Sequence, residues 1–191
     1  PQEMLGKRIL LHIDAIDQFG SVYINDFDQN HFVKTSIDPI IPIEIDITDQ
    51  LIPGENTITV VCFDELSKDF AYGKQRKKRG GMWYTPISGI WQAVWLEAVP
   101  ENYIKRIKMT PSLDSVKFKI KGGADEKIIT LGGKEYRFEG DEFELKVEDP
   151  HLWTPEDPYL YEFTLESGKD KIGSYFALRP VGTAKIGGKS Y

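Results

Sequence analysis

The sequence predicts an all-β chain arranged as two β-sandwiches, and three observations carry that prediction. Apolar and polar residues alternate with period two, most clearly at Ile43-Glu44-Ile45-Asp46-Ile47, Val116-Lys117-Phe118-Lys119-Ile120-Lys121 and Phe143-Glu144-Leu145-Lys146-Val147. Such alternation marks strands with one buried and one solvated face. Turns bearing glycine or proline separate these segments. No stretch of ten or more residues shows the spacing of an amphipathic helix.

In chain order, the first predicted strands are Ile9–Asp14 and Ser21–Asn25, followed by Ile43–Ile47. The turn Pro53-Gly54-Glu55-Asn56 then leads into a strand at Thr57–Phe63, and Ile90–Glu97 forms the next. At Val99-Pro100-Glu101-Asn102 a proline interrupts the pattern and a new alternation starts at Tyr103. A domain boundary is expected there, dividing 1–99 from 100–186, with one continuous sandwich as the competing arrangement. The second set of strands is Tyr103–Met109, Val116–Lys121, Phe143–Val147, Tyr159–Leu165 and Ile172–Leu178. Their turn signals are Gly122-Gly123, Gly132-Gly133 and Glu139-Gly140-Asp141. Residues 187–191 read as the start of a linker. There is no repeat of fixed period and no low-complexity tract.

Three of the four tryptophans fall within the thirteen residues Trp83–Trp95. Trp91 and Trp95 are four apart in a predicted strand and share a face with Ala93, while Ile90, Val94 and Leu96 take the other. Two apolar faces predict a central strand covered on both sides, with these tryptophans in the core or at a domain interface. Trp153, between Leu152 and prolines, is expected to plug one end of the second sandwich. Cys62 is expected as a small core residue.

With 191 residues the chain suits two domains, each able to bury a core. The net charge of −6 argues against a general nucleic-acid or anionic-membrane binder, which needs a basic surface. One cysteine permits no internal disulfide. No apolar run reaches the roughly 18 residues of a membrane helix, so a soluble protein is expected, with the cytoplasm compatible. The start at Pro1, without an initiator methionine or a signal pattern, reads as a processed or excised end.

Residue chemistry narrows the activities. A retaining glycosidase needs two carboxyls about 5 Å apart. The adjacent pairs Asp64/Glu65, Asp141/Glu142 and Glu156/Asp157 lie in loop-like sequence, where neighbouring side chains point apart, so they are read as solvated carboxylates. His12, His31 and His151 have no partner at metal-ligand spacing, and no EF-type calcium loop, phosphate loop or nucleophile signature is present. No metal, cofactor or catalytic residue is therefore assigned. Lys74-Gln75-Arg76-Lys77-Lys78-Arg79 packs five cations into six residues, near Phe70, Tyr72, Trp83 and Tyr84. Basic residues among aromatics suit single-stranded nucleic acid, but a lone cluster in an acidic chain is also what a solvated loop looks like. Trp83 and Tyr84 follow Gly80-Gly81 and precede Thr85-Pro86, so they sit on a loop. That placement fits stacking on a sugar and packing against a neighbouring domain equally well.

Several segments, in order, resemble glycoside hydrolase family 2, the β-galactosidase, β-glucuronidase and β-mannosidase family. They are Ile9–Asp17 with Ser21-Val22-Tyr23-Ile24-Asn25, Ile45-Asp46-Ile47-Thr48 with Pro53–Val60, the Trp83–Glu97 run, Pro150–Tyr161, and Tyr175-Phe176-Ala177-Leu178-Arg179. The family more often has glycine where Ala177 stands. The resemblance implies a partial, jelly-roll sugar-binding (galactose-binding-like) sandwich over 1–99, lacking its first strands, and an immunoglobulin-like sandwich over 100–186. It implies a (β/α)8 barrel elsewhere in the parent chain as partner and holder of the catalytic glutamates, a carbohydrate substrate, and this segment as an inactive brace shaping the substrate entrance. In that setting Lys74, Gln75, Arg79, Trp83 and Tyr84 are the candidate substrate-binding residues, a solvated loop being the alternative. A sheet edge left open by absent strands allows homo-oligomers. Nucleic acid and membrane are not expected partners. A stand-alone carbohydrate-binding module is the second reading, and a structural or adhesive sandwich protein the third.

Overall fold

A computed structural model describes residues 4, 6–36, 38, 40–67, 69–71, 73–179, 185–187 and 189–190; Tyr72 and most of the tail beyond Arg179 lie outside them. The chain divides into two compact units, Pro1–Val99 and Pro100–Tyr191. The described residues contain strands and a single-turn 3-10 segment, Thr48–Gln50. No helix among them is long and apolar enough to cross a membrane.

The first unit holds β1 (Arg8–Ile13), β2 (Ile16–Asp17), β3 (Phe19–Ile24), β4 (Phe32–Ser36), β5 (Ile43–Asp46), β6 (Ile58–Phe63), β7 (Gly89–Ile90) and β8 (Val94–Val99). They form antiparallel sheets in the orders β5-β1-β8 and β4-β3-β6, with β2 paired to β7. Ile9, Leu11 and Ile13 of β1 pack with Ile43 and Ile45 of β5 and with Val22 and Ile24 of β3. One core thus spans both sheets, as alternation requires. Asn25 fastens the end of β3. It adopts a positive φ of 70°, which asparagine tolerates better than most residues. Its side chain donates to the Gln50 carbonyl at 2.9 Å and accepts from the Thr57 N–H at 3.1 Å.

The tryptophan-rich segment departs from the expectation of one central, doubly covered strand. Only Gly89–Ile90 and Val94–Val99 are strands, and β8 pairs with β1 alone, at the edge of its sheet. Trp91 and Trp95 are not core residues, being 46% and 45% exposed. An apolar face in the sequence records that something covers it, without saying that this unit does. Trp95 stacks instead on the imidazole of His12, 3.8 Å between ring centroids, and His12 Nε2 lies 3.0 Å from Glu97. Cys62 is likewise exposed, because β6 is the outer strand of its sheet.

The second unit contains β9 (Ile104–Pro111), β10 (Ser115–Gly122), β11 (Glu126–Leu131), β12 (Lys134–Glu139), β13 (Glu142–Lys146), β14 (Tyr161–Ser167) and β15 (Asp170–Phe176). A short hairpin, β16 (Lys185–Ile186) with β17 (Lys189–Ser190), follows. The sheets β13-β10-β9 and β12-β11-β14-β15 share a core of Val116, Phe118, Ile120, Ile129, Leu145, Phe163, Leu165, Phe176 and Leu178. This is an immunoglobulin-like sandwich. Trp153 is half-buried, with the Arg179 guanidinium 5.2 Å from its ring. Lys127 is buried, its ammonium donating to the carbonyls of Ala124 at 2.8 Å and Gly140 at 2.9 Å. Those bonds replace the water a buried cation loses. The strands β2, β4, β11, β12, β16 and β17 are additional to those the sequence predicts.

Candidate functional site

In the first unit, a half-open cavity of about 400 Å³ lies beside β2, lined by Asp17, Ile40, Ala71, Gly73, Lys74, Gln75, Tyr84, Ile87 and Trp91. Gln75 organises it. Its Nε2 donates to Asp17 Oδ2 at 3.3 Å and its Oε1 accepts from the Ile87 N–H at 2.8 Å. One side chain therefore ties the floor strand β2 to the returning loop. Gln75 and Tyr84 form a parallel bridge, and the Tyr84 N–H donates to the Lys74 carbonyl at 2.8 Å. The loop 76–83 is thereby pinned at both ends on the cavity wall.

Of the sequence-predicted site residues, Lys74, Gln75 and Tyr84 are brought together here. Trp83 is not part of the lining; it packs beneath the Arg76 guanidinium, 3.7 Å from its ring. Arg79 is exposed on the loop and does not line the cavity. The sequence reading missed Asp17, Ile87 and, as a site residue, Trp91. Asp17 had a signal: with Gln18 it stands between the apolar Ala15-Ile16 and Phe19, and a buried carboxylate is a candidate for function. Asp17 is only 6% exposed. Burial pushes its carboxyl above the ordinary range, opposed by the Gln75 hydrogen bond and assisted by the charge of Asp64. Gln18 beside it is fully buried, with no partner for its amide among the described residues.

The paired carboxylates are not all simply solvated. Asp64 accepts from Ser88 Oγ at 3.0 Å and from the Leu66 N–H at 2.8 Å, so it braces the loop before β7. Asp157 lies 2.6 Å from His151 Nε2, and Glu142 accepts from Lys119 at 2.7 Å.

What the cavity offers is an exposed tyrosine, 65% accessible, and a half-exposed indole as flat apolar walls. A carboxyl, an amide and an ammonium supply polar contacts between them. Flat apolar faces with a few convergent polar groups suit a polyhydroxylated ring.

Residues 102–179 match the family Glycosyl hydrolases family 2. A β-galactosidase of Clostridium acetobutylicum is 28% identical over 97% of the chain, which spans 21% of that protein. A β-galactosidase of Lactococcus lactis subsp. lactis is 30% identical over 79% of the chain, which spans 16% of it. Among solved structures, a β-glucuronidase of Ruminococcus gnavus superposes with a TM-score of 0.76 at 24% identity, covering 96% of this chain and 36% of that one. The chain thus spans about a fifth of the length of curated relatives it matches.

Proposed function

The chain belongs to family 2 of the glycosyl hydrolases, and from that premise we propose that it is a non-catalytic region of a larger enzyme that hydrolyses β-galactosides. The relatives named β-galactosidases support the substrate, and the small share of their length that the chain spans supports a catalytic centre in another domain, a (β/α)8 barrel. The cavity around Gln75 carries the reading furthest: three candidate residues, Lys74, Gln75 and Tyr84, converge on it with Asp17 and Trp91. In this role the cavity shapes the carbohydrate entrance of the enzyme. The exposed apolar edges of β6 and β8 support association with a second copy.

The test is titration of the 191-residue chain with β-galactosides and with a nitrophenyl galactoside as substrate. The expected outcome is saccharide binding weakened about tenfold by Tyr84→Ala, a loss of one stacking contact, and no release of nitrophenol. Release by a pure preparation would overturn the non-catalytic assignment. Binding indifferent to Tyr84→Ala and Gln75→Ala would remove the cavity from the proposal. The cavity is formed within the first unit alone, which favours the second reading, a carbohydrate-binding module that acts without a catalytic partner.

A further inference from the structure

We propose that the turn between β3 and β4 forms a second binding site, an aromatic box that takes a trimethylammonium group. Tyr23, Phe27, Asp28, Gln29 and Phe32 line a cavity of about 330 Å³ there, separate from the one at Gln75. Tyr23 faces Phe32 across the β3–β4 pair, next to a register shift at Val22–Tyr23, and such bulges re-aim side chains. The ring centroids of Phe27 and Phe32 lie 4.6 Å and 5.6 Å from that of Tyr23, at interplanar angles of 72° and 65°. Three rings set so steeply give the cavity walls that turn around it, and no single flat platform. Phe27 is 65% exposed and Phe32 44%, so much of each ring is free to meet a ligand.

The same cavity carries a fixed negative charge. Asp28 Oδ1 accepts from the Asn30 N–H at 2.8 Å and the His31 N–H at 3.1 Å, and lies 2.8 Å from His31 Nδ1. The imidazole contact, more than the others, holds the Asp28 carboxyl below the usual carboxylate range. All three contacts meet Oδ1, and Oδ2 has no partner among the described residues. No lysine or arginine lines the cavity. The turn is also braced before any ligand arrives. The Ile24 N–H donates to the His31 carbonyl at 3.0 Å and the Asp26 N–H to the Ile24 carbonyl at 3.1 Å. A site built in advance loses less entropy when it is filled.

Rings and charge together select a cation with an apolar coat. Aromatic faces attract cations through their quadrupole, and the carboxylate adds to that attraction. A primary ammonium is compact and strongly hydrated, so rings repay little of the water it must shed. A metal ion is no better served: no group of three His, Cys, Asp or Glu among the described residues is arranged to hold one. A neutral sugar stacks on a flat face, which rings tilted 72° and 65° from Tyr23 do not extend. A trimethylammonium group presents methyls to every wall and spreads its charge over them. A small choline-like molecule and a trimethylated lysine side chain share this chemistry.

The experiment is calorimetry with ligand-detected NMR on the 191-residue chain. The probes are choline, trimethyllysine amide, galactose, and the neutral analogue of choline in which a tert-butyl group replaces the trimethylammonium. Both trimethylammonium compounds are expected to bind, roughly tenfold tighter than the neutral analogue. Phe27→Leu, at an exposed position, keeps an apolar side chain but removes one ring, and should weaken choline about fivefold. Asp28→Asn keeps an oxygen for the N–H donors of the turn and removes the charge, so it should weaken choline and leave the neutral analogue unchanged. Phe63→Leu alters an exposed ring on β6 outside the cavity and should change neither. Whichever of choline and trimethyllysine amide binds tighter identifies the source of the group. Equal binding of choline and its neutral analogue would overturn the cation assignment, and choline binding indifferent to Phe27→Leu would overturn the site. Failure of both trimethylammonium compounds to bind, with or without galactose binding in their place, would overturn the proposal. Each of these outcomes leaves the cavity at Gln75 to its own test by Tyr84→Ala.

Discussion

Asp17 and Gln75 show how one polar pair can define a site in an otherwise apolar sheet. The Asp17 carboxyl is removed from water by β2 and held by one amide, and its pKa is raised as a result. A raised folded-state pKa means that the native state binds this proton more tightly than the unfolded chain does. Its contribution is present in full below the ordinary carboxyl value and is lost as pH rises through the folded value. Asp17→Asn should therefore be more stable than the parent at neutral pH, with the advantage vanishing in acid; urea midpoints near pH 3 and pH 7 measure it. Asp46 behaves oppositely. Burial opposes its ionisation, but hydrogen bonds from Thr48 and Arg8 outweigh burial and lower its pKa, so its contribution is lost as pH falls. A parent-like pH profile for Asp17→Asn would show that the carboxyl is not held as described.

The elements make clear which parts of the fold a single sequence discloses. Strands with strict alternation, such as β10 and β5, were plain because each position has one environment. The hairpin of β11 and β12 is half visible: Gly132-Gly133 reads as a turn, but the segments Glu126–Leu131 and Lys134–Glu139 do not read as strands. In β11 a lysine, Lys127, takes a buried position, and Ile128 follows beside Ile129, so apolar and polar residues do not alternate there. β4 is as faint, being five residues that end in the polar run Lys34-Thr35-Ser36. Trp91 and Trp95 failed differently, since apolarity specifies a covering but not what supplies it. In the site, the loop residues were legible by composition, whereas Asp17 entered through a long-range contact with Gln75, 58 positions away. Glycines offer a test at this scale. Gly133 and Gly122 both have a positive φ, 81° and 83°, but a Cβ at Gly122 would lie 2.5 Å from the Tyr103 carbonyl oxygen while one at Gly133 meets nothing. Gly133→Ala should cost about 1 kcal/mol and Gly122→Ala at least twice that, as read from denaturant midpoints. Equal costs would refute the close approach of β10 to the Tyr103 backbone.

For the molecule as a whole, β6 and β8 leave Ile58, Val61, Phe63, Val94, Trp95 and Leu96 each between 38% and 56% exposed. Edge strands carrying apolar side chains and unpaired backbone groups invite a further strand. Light scattering at rising protein concentration should show association. Val61→Lys combined with Leu96→Lys should reduce it, and a clean monomer throughout would count against the open edge as an interface. The exposed cysteine on one of these edges also makes the protein its own reporter. Cys62 is the chain's single thiol, and its sulfur receives a hydrogen bond from the Ile90 backbone, next to the cavity wall at Trp91. Because burial raises the thiol's pKa, alkylation should be slow at neutral pH and accelerate in mild alkali. Once a fluorophore is attached there, every change in the Gly89–Trp91 backbone registers at one known point, so occupancy of the cavity can be followed by light without adding or removing a residue.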